Sequence, residues 1–279
     1  SEKYSVTQLS IVGDAFAKPI TRYLQALEEE GNSLPHLESI IRITSSGATF
    51  SGEQKSLLQK YMPNATIIDM LGASEGGPFG IAMTAPNEDP IATAVFIAPP
   101  NAVTFNDETW EPLPRGSSTP GVLGVSGPMP QGYFRDEAKS AQTFKVINGV
   151  RYTIPGDYAL IDAQGVMQLL GRGSVCINSG GEKIYPEEVE VVARSIAGIA
   201  DCTVVGVPDD RFGNAVTAVV SRLPGATIST EELLTEMRKT LAAYKCPRHV
   251  LFVDAVYRSP SGKADYNITR DIAVNLLKG

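Results

Sequence analysis

The sequence is poor in the residues on which several classes of chemistry depend. Only two histidines, His36 and His249, occur in 279 residues. Neither has a Cys or His companion at ligand spacing, so an imidazole-based metal site is not indicated and both read as structural. The three cysteines, Cys176, Cys202 and Cys246, are an odd number without a C-x-x-C pair. That argues against a disulfide framework or a thiolate zinc site and reads as reduced thiols in a cytoplasmic protein. Basic excess is lacking too, since the formal net charge is −7. Phosphate neutralisation needs a concentrated Lys/Arg surface, so nucleic acid is not an expected partner. No run approaches the 18 or more apolar residues of a membrane span, and Ser-Glu-Lys-Tyr at the start lacks the layout of a signal peptide.

What is present is the composition of a folded domain. Hydrophobic residues make up 43% and both charge signs occur, which gives the chain material for a sizeable core and suggests one large or two unequal domains. A helix is predicted from Lys18, with Pro19 in its first turn, Ile20, Tyr23, Leu24 and Leu27 as its apolar stripe and Gly31 at its exit. Ile40, Ile41 and Ile43 read as a strand broken by Ser46-Gly47-Ala48; Ser51 with Gln54 reads as a capping box, and residues 65–70 as a second strand. Strand, turn, helix, strand favours a parallel α/β unit.

From residue 91 to 171 short apolar runs at 91–97, 122–125, 158–161 and 166–170 alternate with Pro/Gly turns, the texture of a small antiparallel β-barrel or sandwich. Beyond Arg172 the pattern becomes α+β: a helix over 186–196, strands over 202–207, 215–221 and 249–253, and a helix capped by Ser229 with Glu232. The expected division is therefore 1–172 and 173–279.

Candidate chemistry lies at the ends of these elements. Asp69-Met-Leu-Gly-Ala-Ser-Glu75 follows the second strand, where open α/β sheets bind ligands; Gly72 would admit close backbone approach, and Ser74 beside Glu75 could serve a phosphate and a hard cation. Taken alone, the stretch is equally a polar turn. It resembles the Y-G-x-T-E core of the adenylate-forming enzymes (acyl-CoA synthetases, luciferases and peptide-synthetase adenylation domains), and Ser46-Gly47-Ala48 resembles their adenine-contacting turn. The resemblance implies that Gly47 and Ala48 contact adenine and that Asp69 takes its amino group. It also implies that Gly72 lies against the nucleotide, that Ser74 holds phosphate and Glu75 Mg²⁺, and that Leu71 replaces the usual stacking aromatic.

Tyr152-Thr-Ile-Pro-Gly-Asp157 presents one carboxylate on a tight turn. Such a group can accept both hydroxyls of a ribose or simply close an Asx turn. It is similar to the family's T-G-D motif, which makes Asp157 the ribose ligand despite the inserted Ile154-Pro155. The stretch from Gly171 to Glu190 resembles the hinge motif G-R-x-x-D-x-I-x-x-x-G-E-x-I-x-P-x-E-V-E. By that likeness Arg172 reaches the nucleotide, and Gly180, Gly181 and Glu182 line the passage for the pantetheine arm of coenzyme A. Val175 stands where many members have an Asp, so pivoting is expected near Ser174 and Val175. Ser259-Pro-Ser-Gly-Lys263 looks like the family's C-terminal lysine motif. Lysine suits adenylation because its ammonium can bridge the attacking carboxylate and the α-phosphoryl oxygens.

The expectation is an acyl-CoA synthetase-like fold, α/β plus a β-barrel subdomain and a small α+β C-terminal lid, without the N-terminal half that carries the phosphate loop. The implied activity is an ATP-dependent acyl-CoA ligase of lipid metabolism acting on a fatty-acid or steroid-side-chain carboxylic acid, using ATP/AMP, Mg²⁺ and coenzyme A. The missing half of the same enzyme would be its partner, and the fragment alone would be inactive. Two alternatives are a catalytically silent nucleotide-binding or interaction remnant and an adenylation domain that loads a carrier-protein thiol.

Overall fold

A computed structural model describes residues 2–260 and 262–278; Ser1, Ser261 of the lysine motif and Gly279 lie outside the described residues. The chain divides into two compact units, Ser1–Leu169 and Leu170–Gly279.

The first unit opens with strand β1 (Gln8–Ile11), helix α1 (Gly13–Glu29), strand β2 (Arg42–Ser46), helix α2 (Gly52–Tyr61) and strand β3 (Thr66–Ala73). β1, β2 and β3 pair in parallel, as the strand–helix–strand pattern requires. Ile11, Ile43 and Ile67 from the strands bury against Ala17 and Leu24 of α1 and Leu58 of α2. Helix α1 begins five residues earlier than expected, which places Pro19 inside it. Its start is fixed by tertiary contact instead of by proline: the Asp14 amide donates to the Thr49 carbonyl at 2.9 Å, and the Asp14 carboxylate accepts from the amide and hydroxyl of Ser51 at 2.8 and 3.0 Å. Tyr23, expected in the apolar stripe, is exposed, while Ala17, Thr21 and Leu24 are buried.

Ser51 caps α2 by accepting from the Gln54 amide at 3.3 Å. The Gln54 side chain is buried and accepts from the Thr21 hydroxyl at 2.7 Å, tying α2 to α1. Exit from α2 falls at Met62, just before Pro63, and Gly31 beyond α1 has a left-handed φ of +70°, as the breakers at both ends suggested.

β3 folds back antiparallel on β4 (Gly76–Thr84), which continues through β5 (Val95–Ile97) into β11 (Val166–Arg172), β10 (Asp157–Ile161), β7 (Gly121–Ser126), β9 (Val150–Thr153) and β8 (Phe144–Ile147); β6 (Ala102–Phe105) pairs β7. The short antiparallel strands expected between 91 and 171 are present. Their hydrogen bonds extend the α/β sheet through β4 and β5, and among the described residues none joins β8 back to close a barrel. One short helix, α3 (Glu137–Thr143), interrupts them; its N-cap Asp136 accepts from the Lys139 amide at 2.9 Å.

In the second unit β12 (Ile177–Ser179) and β13 (Glu182–Ile184) form a hairpin before helix α4 (Pro186–Arg194). Strands β14 (Ile199–Asp209) and β15 (Gly213–Arg222) pair antiparallel, and β16 (His249–Phe252) joins β15 in parallel. Side chains alternate across these strands. Val204, Val216 and Ala218 face Val189 and Ala193 of α4 and Leu233 and Met237 of α5 (Thr230–Met237). Val205, Val207, Ala215 and Val219 face Ala273 of α6 (Tyr266–Lys278). A strand pair covered on both faces explains the nearly unbroken apolar sequence of 202–207 and 215–221. Both halves of the capping box at Ser229 and Glu232 form.

Candidate active site

In the first unit Gly47, Ala48, Asp69 and Leu71 lie where the parallel strands end, while Asp157 stands apart from them on β10. β2 and β3 pair with Ser45 beside Asp69 and Ser46 beside Met70, so the turn at Gly47 and Ala48 leaves β2 next to Leu71. This turn is backed by the start of α1. Gly13 has φ +50°, its amide donates to Ser45 Oγ at 3.0 Å, and a Cβ built on it would stand 2.2 Å from the Thr49 carbonyl oxygen. Only glycine permits that approach.

Asp69 is buried on β3, and Lys55 Nζ of α2 lies 2.9 Å from its Oδ2. Burial raises its pKa above the ordinary value, and the nearby Lys55 charge opposes that rise. Gly72 was expected in a loop. It lies instead inside β3, whose pairing with β4 carries the strand to Ala73, and its backbone is not left-handed. The turn proper is Ser74 and Glu75. There the Glu75 carboxylate is held from two sides: Tyr133 donates to Oε1 at 2.5 Å and Ser74 to Oε2 at 2.9 Å. The buried Thr153 hydroxyl donates to the Glu75 carbonyl at 3.0 Å, tying this turn to the end of β9. The Tyr133 hydrogen bond is the main reason that the Glu75 carboxyl ionises below its ordinary range.

Among the described residues no group of three or more His, Cys, Asp or Glu could hold a metal ion. A single oriented carboxylate beside a hydroxyl fits Mg²⁺, which keeps its waters and takes one or two protein oxygens together with substrate phosphates. Asp157 opens β10 directly after Gly156, which has φ +96°.

In the second unit, β11 ends at Arg172, a single 3-10 turn covers Gly173–Val175, and Gly180-Gly181 forms the β12–β13 turn. The structure has a two-residue hairpin with φ +61° and +90°, the type I′ signature that favours Gly. The Gly180 amide donates to the Phe212 carbonyl at 2.9 Å, and Arg248 lies 3.5 Å over the Phe212 ring. Glu182 is exposed at the start of β13.

Lys263 is exposed on a turn closed by its own backbone: the Ser259 amide donates to the Lys263 carbonyl at 2.9 Å, and the Lys263 amide to Ser259 Oγ at 3.2 Å. Arg258 before it forks onto Asp201, with Nε donating to Oδ2 at 2.8 Å and Nη2 to Oδ1 at 2.5 Å. Sequence reasoning missed Lys55, Tyr133, Thr153 and Arg258. Thr153, inside the 152–157 stretch, and Arg258, abutting the lysine motif, carried a positional signal; Lys55 and Tyr133 carried none.

Residues 188–263 match the family model of the AMP-binding enzyme C-terminal domain. Along almost its whole length the chain is similar to adenylate-forming enzymes. It is similar to a medium/long-chain-fatty-acid–CoA/3-oxocholest-4-en-26-oate–CoA ligase of Mycolicibacterium smegmatis, with 42% identity over 269 residues, 96% of this chain and 48% of the relative. A 3-oxocholest-4-en-26-oate–CoA ligase of Rhodococcus rhodochrous is 42% identical over 274 residues, 97% of this chain and 48% of its own length. Among solved structures, ATP-bound MatB from Rhodopseudomonas palustris superposes with a TM-score of 0.76 at 28% identity, covering 97% of this chain and 52% of that one. The chain thus spans about half the length of the relatives it matches. No helix among the described residues is long and apolar enough to cross a membrane.

Proposed function

We propose that this chain supplies the nucleotide-facing part and the mobile C-terminal lid, residues 173–279, of an ATP-dependent acyl-CoA ligase. A carboxylate oxygen attacks the α-phosphorus of ATP and pyrophosphate leaves, giving an acyl adenylate. The thiol sulfur of coenzyme A then attacks the acyl carbon, loses its proton, and AMP leaves. Gly47, Ala48 and Asp69 serve adenine, with Leu71 and Gly72 beside them on β3. Asp157 takes the ribose, Arg172 reaches the nucleotide, and Ser74 and Glu75 take phosphate and Mg²⁺. Lys263 stabilises charge in the first step, while the turn of Gly180, Gly181 and Glu182 guides the thiol in the second. One lid alternates between the two by turning near Ser174 and Val175. The names of the relatives favour a fatty acid or a steroid-side-chain acid as the carboxylate.

The observation that carries this reading is the juxtaposition at the ends of the parallel strands, where the 46–48 turn and Asp69 lie side by side and the same β3 runs on to a Glu75 fixed by Tyr133 and Ser74. Its test is Lys263→Ala in the full-length protein that contains this chain. Formation of acyl adenylate is expected to be lost, and thioester formation from supplied acyl adenylate is expected to survive. Equal loss of both half-reactions rejects the assignment.

A further inference from the structure

The turn that bears Lys263 is shaped by short-range bonds. Arg258 and Ala264 form a β-bridge, the Ser259 amide reaches the Lys263 carbonyl, and the Gly262 amide reaches the Ser259 carbonyl at 2.8 Å. Those bonds fix the form of the turn but not its place on the unit. On its C-terminal side the turn runs into α6, which packs on the β14–β15 sheet through Ala273. On its N-terminal side Arg258 supplies a tie.

Its guanidinium grips both oxygens of Asp201 and also donates to the Cys202 carbonyl at 3.3 Å. Asp201 sits at the register irregularity of β14, which falls between Ile199 and Asp201. The same stretch of β14 is held from α4. Arg194 Nη1 donates to the Cys202 carbonyl at 2.8 Å and to Glu190 at 3.2 Å, while the Val204 amide donates to Glu190 Oε1 at 2.9 Å. Arg258 therefore fastens to a segment that is itself braced. A planar two-point fork restrains direction as well as distance, which a single ammonium or an apolar contact does not.

We propose that Arg258 is the positioning residue for Lys263: through its fork on Asp201 it sets where the exposed lysine is carried, and so serves the adenylation step alone. This rests on the role given to Lys263 above. A lysine on a flexible stem can reach many points, and its usefulness depends on where its Cα is held; a displacement of about 1 Å costs on the order of 10²-fold in rate.

The experiment compares Arg258→Ala and Arg258→Lys with Lys263→Ala in the full-length protein, measuring each half-reaction separately. For Arg258→Ala, kcat of adenylation is expected to fall on the order of 10²-fold with little change in KM for ATP, while thioester formation from supplied acyl adenylate changes less than about twofold. Arg258→Lys keeps the charge without the fork and should recover part of the adenylation rate; it also serves if the alanine variant fails to fold. Amide exchange on the 279-residue chain gives a second readout. The Gly262 and Lys263 amides should exchange about tenfold faster in the variant while those of β15 do not change. Parallel loss of both half-reactions, or unchanged exchange in the turn, overturns the proposal. If Lys263→Ala itself fails to separate the half-reactions, the ligase assignment of Lys263 falls first, and this proposal falls with it.

Discussion

Lys55 and Asp69 meet at 2.9 Å inside the first unit, with side chains 1% and 7% exposed. The pair bolts α2 to the strand that leads into the proposed nucleotide site, and it commits one Asp69 oxygen to a protein partner. Breaking such a pair from one side strands a buried charge. Lys55→Ala should therefore destabilise the chain by about 3–5 kcal/mol in urea unfolding, and the apolar pair Lys55→Met with Asp69→Leu should recover most of that. If adenine also needs Asp69, the recovered double variant will still lose the stabilisation that AMP gives the parent chain. A cost near zero for Lys55→Ala would refute the burial argument.

Tyr133 reaches Glu75 across 58 residues of sequence. A double-mutant cycle on Tyr133→Phe and Glu75→Gln isolates the contact from the two side chains' other roles. Its expected coupling is about 1 kcal/mol, the net worth of one hydrogen bond, kept modest because Glu75 is only half-buried. Additive effects of the two substitutions would show that the hydroxyl does not orient the carboxylate.

The architecture around β2, α2 and β3 was readable because each device is local: β-branched residues for the strands, Ser51 for the cap and Pro63 for the stop, although β2 runs from Arg42 to Ser46, leaving Ile40 and Ile41 outside it and Ser46 within it. β4 was not, since Gly76-Gly77-Pro78 reads as a turn; its pairing with β3 overrides that preference. Helix α6 was missed because the residues it buries, Thr269 and Ala273, are small or polar and draw no apolar stripe. The candidate ligands were legible from ordered motifs. The groups that fix them were not, because Lys55, Tyr133 and Arg258 pair with carboxylates distant in sequence and leave no local period. In α2 the buried face is Gln54, Lys55, Leu58 and Tyr61, which has helical spacing but two polar members.

The Gly180-Gly181 hairpin gives a test of the thioester step. At φ +90° a β-branched side chain is strained, whereas Asn tolerates the left-handed region. Gly181→Val should cost about 1–2 kcal/mol and slow thioester formation while leaving adenylation near its parent rate. Gly181→Asn should behave close to the parent in both. Equal impairment by Val and Asn would mean that the turn's conformation is not what the second step uses.

Asp201 makes the stability of the second unit depend on acid. Burial alone would raise its pKa, but Arg258 and Arg194 outweigh burial and hold the carboxyl below its ordinary 3.8. A carboxyl whose folded pKa is depressed adds stability that is fully present above the unfolded value and is lost as pH falls through the folded one. Asp201→Asn cannot ionise, so it lacks this contribution at every pH. The parent chain should unfold at a clearly higher temperature than Asp201→Asn at about pH 6, and the gap should shrink below about pH 4 as the parent's carboxyl takes up its proton. Convergence on acidification assigns the difference to the ionised fork on Arg258. A gap that persists undiminished to about pH 2 would assign it to packing around β14 instead, because protonated Asp and Asn present nearly the same neutral shape to the arginines.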